Sequence, residues 1–182
     1  MFIIDEINRG NLSKIFGELM LLIEADKRGP EWSTTLAYSG EDDQPFYIPE
    51  NVFVLGLMNT ADRSLSLVDY ALRRRFAFVT LKPSFTDPRF AEYLRTNGVA
   101  AGTVSQLVER MTELNAAIAG DKINLGPGFQ IGHSFFVPAD GEVGPRWYET
   151  IIETEIRPLL EEYWFDEPAR ADEWCTRLTG SP

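Results

Sequence analysis

Two carboxylates, Asp5 and Glu6, stand side by side directly after the apolar run Phe2-Ile3-Ile4. A continuous apolar run that ends in acid is the pattern of a strand buried on both faces, the kind parallel sheets use. Open α/β sheets bind their ligands beyond the carboxyl ends of such strands. Adjacent carboxylates there can divide the work of phosphoryl transfer, one in the shell of a Mg²⁺ ion and the next orienting or deprotonating a water. The plainer reading of the same residues is a strand end that meets solvent. A second apolar run, 52–58, also stops at polar residues, Asn59-Thr60-Ala61-Asp62-Arg63-Ser64. Asn is a poor strand residue, so Asn59 is either a turn former or an amide that hydrogen-bonds a γ-phosphate or the attacking water. Three arginines, Arg73-Arg74-Arg75, complete the set. They are either a solvated helix end favoured by the helix dipole or guanidiniums aimed at a phosphate on a neighbouring subunit.

The elements that would position these groups follow from periodicity. Residues 11–29 predict one helix, with Leu12, Ile15, Phe16, Leu19, Leu22 and Ile23 on one stripe, Asn11 as N-cap, Lys27 and Arg28 in the last turn and Gly29-Pro30 as the stop. Residues 31–49 predict a hairpin: Trp32, Thr34, Leu36 and Tyr38 alternate, SGEDDQP turns, and Phe46-Tyr47-Ile48 returns. Residues 52–58 predict a second buried strand, and 66–72 a short helix with a Ser66-x-x-Asp69 cap. A third strand is expected over 76–81, closed by Pro83. The pattern then turns helical. Asp87-Pro88 caps a helix that stops at Asn97-Gly98. A second runs through Val104, Leu107, Met111, Leu114 and Ile118 to Gly120. Pro145 opens a third, which Pro158 should kink, and Asp166-Glu167-Pro168 starts a last one. The division is an α/β part at 1–83 and a helical part at 84–182. Within the latter, 125–136, LGPGFQIGHSFF, holds the lone histidine, His133. A lone His is either a satisfied structural residue or a ligand contact.

Composition narrows the function classes. A length of 182 residues with 44% hydrophobic and 25% charged residues suits a globular protein with a sizeable core. No apolar run approaches the ~20 residues of a membrane span, and no basic segment precedes an apolar one as in a secretory signal. The single Cys175 excludes an internal disulfide and a Cys-based zinc site. A cytoplasmic location is the expectation. The net charge of −11 argues against a nucleic-acid clamp, which needs clustered cations.

Taken in order, IIDEINRGNLSKIFGELMLLIE, MNTADRSLSLVDYALRRRF, GFQIGHSFF and IRPLLEEYW resemble the McrB-like family of AAA+ nucleoside triphosphatases, the motor subunits of modification-dependent restriction systems. The resemblance covers nearly the whole chain. It implies an α/β fold: a partial AAA+ (P-loop NTPase-type) parallel-sheet core followed by a helical lid. FIIDE looks like a Walker B motif, with Asp5 on the Mg²⁺ shell, directly or through water, and Glu6 activating water. NTADR looks like the sensor I segment, with Asn59 on the γ-phosphate or water and Asp62 and Arg63 supporting the nucleotide. RRRF looks like the arginine-finger segment, Arg74 and Arg75 being the residues that cross into a neighbour's site. His133 lies where a second sensor approaches nucleotide, although the usual sensor arginine is missing. The family implies Mg²⁺, GTP or ATP as substrate, a homo-oligomeric ring, a hexamer, and a nuclease subunit as partner. DNA would be read by a domain outside this chain.

One departure is plain. No Gly-x-x-x-x-Gly-Lys-[Ser/Thr] occurs in the sequence, and GPGFQIG lacks the lysine. The expectation is therefore the carboxyl-terminal part of a larger nucleotide hydrolase, inactive alone. In the family fold the P-loop strand lies between the strands ending at Met58 and Leu81, which cannot pair in the family's way without it. The alternative is a non-catalytic remnant or assembly module that associates with an intact homologue. NTAD superficially resembles the guanine-reading Asn-x-x-Asp of small G proteins, but its place at the end of a core strand suits water orientation better.

Overall fold

The computed structural model describes residues 1–59, 61, 73–138 and 143–180. The chain divides into two compact units, Met1–Thr80 and Leu81–Pro182. In the first, β1 (Phe2–Ile4) and β2 (Val54–Gly56) form a parallel pair with Phe2 opposite Val54 and Ile4 opposite Gly56. The Phe2 N–H donates to Phe53 O at 2.7 Å and the Leu57 N–H to Ile4 O at 2.9 Å. Ile7 anchors a small apolar cluster with Ile4, Phe16, Met20 and Phe76. Gly56 makes that cluster possible, because a Cβ on it would stand 2.6 Å from Ile7 Cδ1.

Three expectations for this unit are corrected. The two strands are not buried on both faces: Ile3, Phe53 and Leu55, which share one face of the pair, are 52%, 69% and 43% exposed, and Phe2 on the other face is 57% exposed. The helix expected over 11–29 is only α1 (Leu12–Phe16). Asn11 does cap it, its Oδ1 accepting the Lys14 N–H at 3.0 Å. Gly17 then takes φ +47° and a 3₁₀ turn, Gly17–Met20, follows. Helices in proteins owe most of their stability to a packed face, and here Ile15 is exposed, Phe16 is only partly covered by the Ile7 cluster, and full burial comes only at Leu22 and Ile23. Residues 76–81 form no strand, having no ladder partner among the described residues. The hairpin exists in reduced form, as one antiparallel bridge of Thr34 and Phe46 with reciprocal bonds of 2.8 Å. The short helix expected over 66–72 lies outside the described residues.

In the second unit the helices follow their sequence signals. Among the described residues they are α2 (Pro88–Thr96), α3 (Ala101–Gly120), α4 (Trp147–Ile151), α5 (Arg157–Tyr163) and α6 (Pro168–Thr179). Asp87 caps α2 by accepting the Arg89 N–H at 2.9 Å. Val104, Leu107, Met111, Leu114 and Ile118 place one face of α3 in a core that also holds Phe136, Ile156, Leu160 and Trp164. The expected kink at Pro158 takes the form of a π-helical turn, Ile152–Ile156, between α4 and α5. A proline cannot donate to the carbonyl four residues back, and the wider turn accommodates the missing bond. Arg110 closes α6 by donating to the carbonyls of Leu178 and Gly180, satisfying groups that a helix end leaves orphaned. No helix among the described residues is long and apolar enough to cross a membrane.

Candidate functional site

β1 delivers Asp5 and Glu6 at its carboxyl end, and the parallel β2 delivers Asn59 at the same end of the pair. The chain leaves β1 by a sharp turn. Glu6 has φ 49° and ψ 46°, the only non-glycine positive φ among the described residues. A left-handed conformation costs an L-residue roughly 1–2 kcal/mol. The turn starts the 3₁₀ segment Ile7–Arg9 and is tied back to β2 by the Ile7 N–H, which donates to Leu57 O at 2.8 Å. Asp5 Oδ1 accepts the Glu6 N–H at 2.9 Å. The Glu6 carboxylate meets the Arg9 guanidinium at 2.7 Å, with side chains 49% and 62% exposed. A pair that exposed contributes little stability and is readily exchanged for another partner.

Asn8 joins the two strand ends. Its side-chain N–H donates to Asn59 O at 3.3 Å, and its Oδ1 is buried without a partner among the described residues. Asn59 in turn accepts the Ala61 N–H on its own Oδ1 at 3.0 Å, an Asx turn. Sequence reasoning passed over Asn8. The signal was a polar residue wedged between Ile7 and the charged Arg9 in a turn that must be packed down.

The remaining residues expected at the site are dispersed. Asp62 and Arg63 lie outside the described residues. Arg73 and Arg74 are exposed, Arg73 resting 5.9 Å from the centre of the Phe78 ring. Arg75 is drawn inward and paired with Glu24 at 2.8 Å. His133 belongs to the second unit, where its Nδ1 accepts the Ser84 N–H at 3.1 Å and its ring meets Phe90 edge-on with centroids 5.3 Å apart. An Nδ1 that accepts puts the imidazole N–H on Nε2.

The donor set suits a hard cation. Mg²⁺ is held by one or two carboxylates and completes its shell with water and substrate phosphates. Asp5 fits that requirement, with Oδ1 engaged by the Glu6 N–H. Among the described residues no group of three or more His, Cys, Asp or Glu forms a closed metal cage, which a Mg²⁺–nucleotide site does not need.

Comparison with known proteins gives the family. Residues 1–76 match the AAA domain of the dynein-related subfamily, and residues 106–172 match the α-helical lid domain of McrB. The type IV methyl-directed restriction enzyme EcoKMcrB subunit of Escherichia coli (strain K12) is 51% identical over 183 residues, covering 99% of this chain and 40% of that protein. The type II restriction enzyme BsuMI component YdiS of Bacillus subtilis (strain 168) is 33% identical over 91 residues, covering 45% of this chain and 26% of that one. The chain thus spans less than half the length of both relatives. An AAA domain and a McrB lid following one another, with that identity along almost every residue, place the chain in the McrB-like family of AAA+ proteins.

Proposed function

We propose that the chain supplies the water-activating and sensing half of a nucleoside triphosphatase site in a ring-forming McrB-like restriction motor. The observation that carries this reading is the shared end of the parallel pair. Asp5, Glu6 and Asn59 meet there, linked through Asn8, and the strained backbone is at Glu6. Strain of that kind persists where the surrounding structure holds it, and it gathers at functional residues. Asp5 would hold a Mg²⁺ ion, directly or through water, which would supply charge neutralisation for the phosphates of GTP or ATP. Glu6 accepts the proton of the attacking water once it lets go of Arg9. Asn59 orients the water or the γ-phosphate, with Asp62 and Arg63 supporting the nucleotide. The arginine segment at Arg74 and Arg75 serves the adjacent subunit of a ring, a hexamer. A nuclease subunit and a DNA-reading domain outside these residues complete the assembly.

The rival reading is an assembly module that binds no nucleotide. A chimera in which this chain replaces the matching stretch of the EcoKMcrB subunit separates the two. Hydrolysis of GTP or ATP by the chimera is expected, and Glu6→Gln should lower it by ~10²-fold or more while nucleotide stays bound, the scale of removing a general base. Asp5→Asn should also weaken Mg²⁺-dependent binding. Normal turnover by the Glu6→Gln chimera removes Glu6 from the mechanism. A chimera that assembles but never hydrolyses favours the module. The 182-residue chain by itself should show no micromolar binding of either nucleotide in titration calorimetry.

A further inference from the structure

The three arginines are adjacent in sequence and unequal in space. Arg75 sits on the inward side, its side chain 11% exposed, with Nη2 at 2.8 Å from Glu24 Oε1. Its neighbour Phe76 packs against Ile7 in the apolar cluster of the first unit. Arg74, one residue earlier, is exposed. Glu24 is itself held firmly. It follows Leu22 and Ile23, which are 1% and 3% exposed, and its backbone is bonded on both sides, the N–H to Leu21 O and the carbonyl to the Lys27 N–H. A carboxylate on a rigid turn that takes a guanidinium out of solvent fixes the direction of the chain around it. The flanking Arg74 side chain is left in solvent.

We propose that Glu24 is a positioning residue that latches Arg75, dividing the adjacent arginines into an anchored one and a presented one. Arg74 is thereby the arginine extended toward a neighbouring subunit's nucleotide. Phe76, the residue after Arg75, ties this segment to the cluster around Ile7, the residue next to Glu6. The assignment of Arg74 rests on the hydrolytic function proposed above; the latch itself does not. A guanidinium already paired with a carboxylate is a poor candidate for a phosphate contact, because it would have to give up a short charge-assisted bond in a mostly buried setting. A latch needs only opposite charges at positions 24 and 75. A phosphate contact needs the guanidinium of one particular residue.

That difference gives the test. In the 182-residue chain, labelling with an arginine-selective dicarbonyl, read site by site by mass spectrometry, should modify Arg74 quickly and Arg75 slowly. Glu24→Gln should speed Arg75 and leave Arg74 unchanged. Equal rates for the two arginines in the unsubstituted chain overturn the latch. In the chimera, Arg75→Glu and Glu24→Arg should each lose most hydrolysis, and the double swap Glu24→Arg with Arg75→Glu should recover it. Arg74→Ala should lose about 10³-fold, the scale of an arginine finger, and Arg74→Lys should not restore it. A double swap that melts normally yet stays as inactive as Arg75→Glu alone makes Arg75 the phosphate contact and overturns the proposal. Arg74→Ala with full activity removes Arg74 from that role. A chimera that assembles but never hydrolyses, by contrast, refutes the hydrolytic reading and leaves the labelling result to decide the latch.

Discussion

Single side chains in this protein act mostly by tying distant backbone together. Asn115 is the strongest case. It is 4% exposed on α3, and its amide donates to Ile131 O at 2.9 Å and accepts the Ile131 N–H at 2.7 Å. The glycine-rich stretch before His133 is thereby held as an added strand would be held. Asn115→Leu keeps the volume and orphans both backbone groups, at about 1–3 kcal/mol each. Urea unfolding should show that loss, and a change below ~0.5 kcal/mol would mean that the segment finds other partners. Asp87 gives a pH signature. The side-chain bonds from Arg89 bring its carboxyl down to about 2 from the ordinary 3.8. A depressed carboxyl pKa adds stability that is complete above the unfolded value and is lost as pH falls toward the folded one. The cap on α2 should therefore weaken between pH ~4 and ~2. NMR titration of the Asp87 carboxyl, with a midpoint near the free value, would refute it. The places of Asp5, Glu6 and Asn59 at the ends of the parallel pair were legible because each stands where an apolar run ends. Glu24, Asn8 and Asn115 were not, because what they do depends on partners fixed only by the fold.

At the scale of elements, what could be read depended on whether the signal was local. The helices Pro88–Thr96 and Ala101–Gly120 carry their own starts, stops and apolar faces, and they form where those signals say. The predicted helix 11–29 had the periodicity but too little cover for its stripe, and a glycine at φ +47° let the chain leave early. The third strand had the composition of a strand with no described edge to pair against. One contact between elements bears directly on the site. Gly56 on β2 lies under Ile7, the residue after Glu6, and a Cβ there would meet Ile7 Cδ1 at 2.6 Å, Cγ2 at 3.2 Å and Cβ at 3.4 Å. Gly56→Val should push Ile7 out and loosen the turn that carries Glu6. The expected stability loss is about 1–3 kcal/mol, the usual cost of overpacking. In the hydrolysing chimera kcat should fall with little change in nucleotide affinity, since Asp5 lies on the strand side of the turn. Unchanged kcat would show that the turn tolerates the shift.

Across the whole molecule, stability is distributed unevenly, and this permits a direct prediction. The unit from Leu81 onward buries a continuous core in which Leu107, Met111, Leu114, Ile118, Phe136, Ile156, Leu160 and Trp164 have no exposure at all. It is further fastened by Asp121, whose carboxylate accepts from Arg170 at 3.0 Å and from the Trp164 indole at 3.3 Å. In the unit ending at Thr80, by contrast, Ile7, Leu22 and Ile23 are the buried apolar residues among those described, and Phe2, Ile3, Phe53 and Leu55 stand largely in solvent. Burial of apolar surface is the main favourable term in folding, and amide exchange reports the free energy of the opening that frees each hydrogen. Amides of α3, α5 and α6 should therefore exchange only through global opening of their unit. Those of β1, β2 and α1 should exchange through smaller, cheaper openings, faster by about 100-fold or more after correction for intrinsic rates. Hydrogen–deuterium exchange of the 182-residue chain, resolved by peptide, measures this. Equal protection in β1 and α3 would mean that the parallel pair draws stability from contacts other than its own small cluster. The same measurement on the chimera should then show β1 and β2 slowed toward the helical unit, because added strands would pair with the edges of β1 and β2 and the helices joining them would cover the face formed by Ile3, Phe53 and Leu55. If the exposed sheet face is an incomplete site, its protection rises when the rest of the sheet is supplied; if it is a finished surface, protection stays where it was.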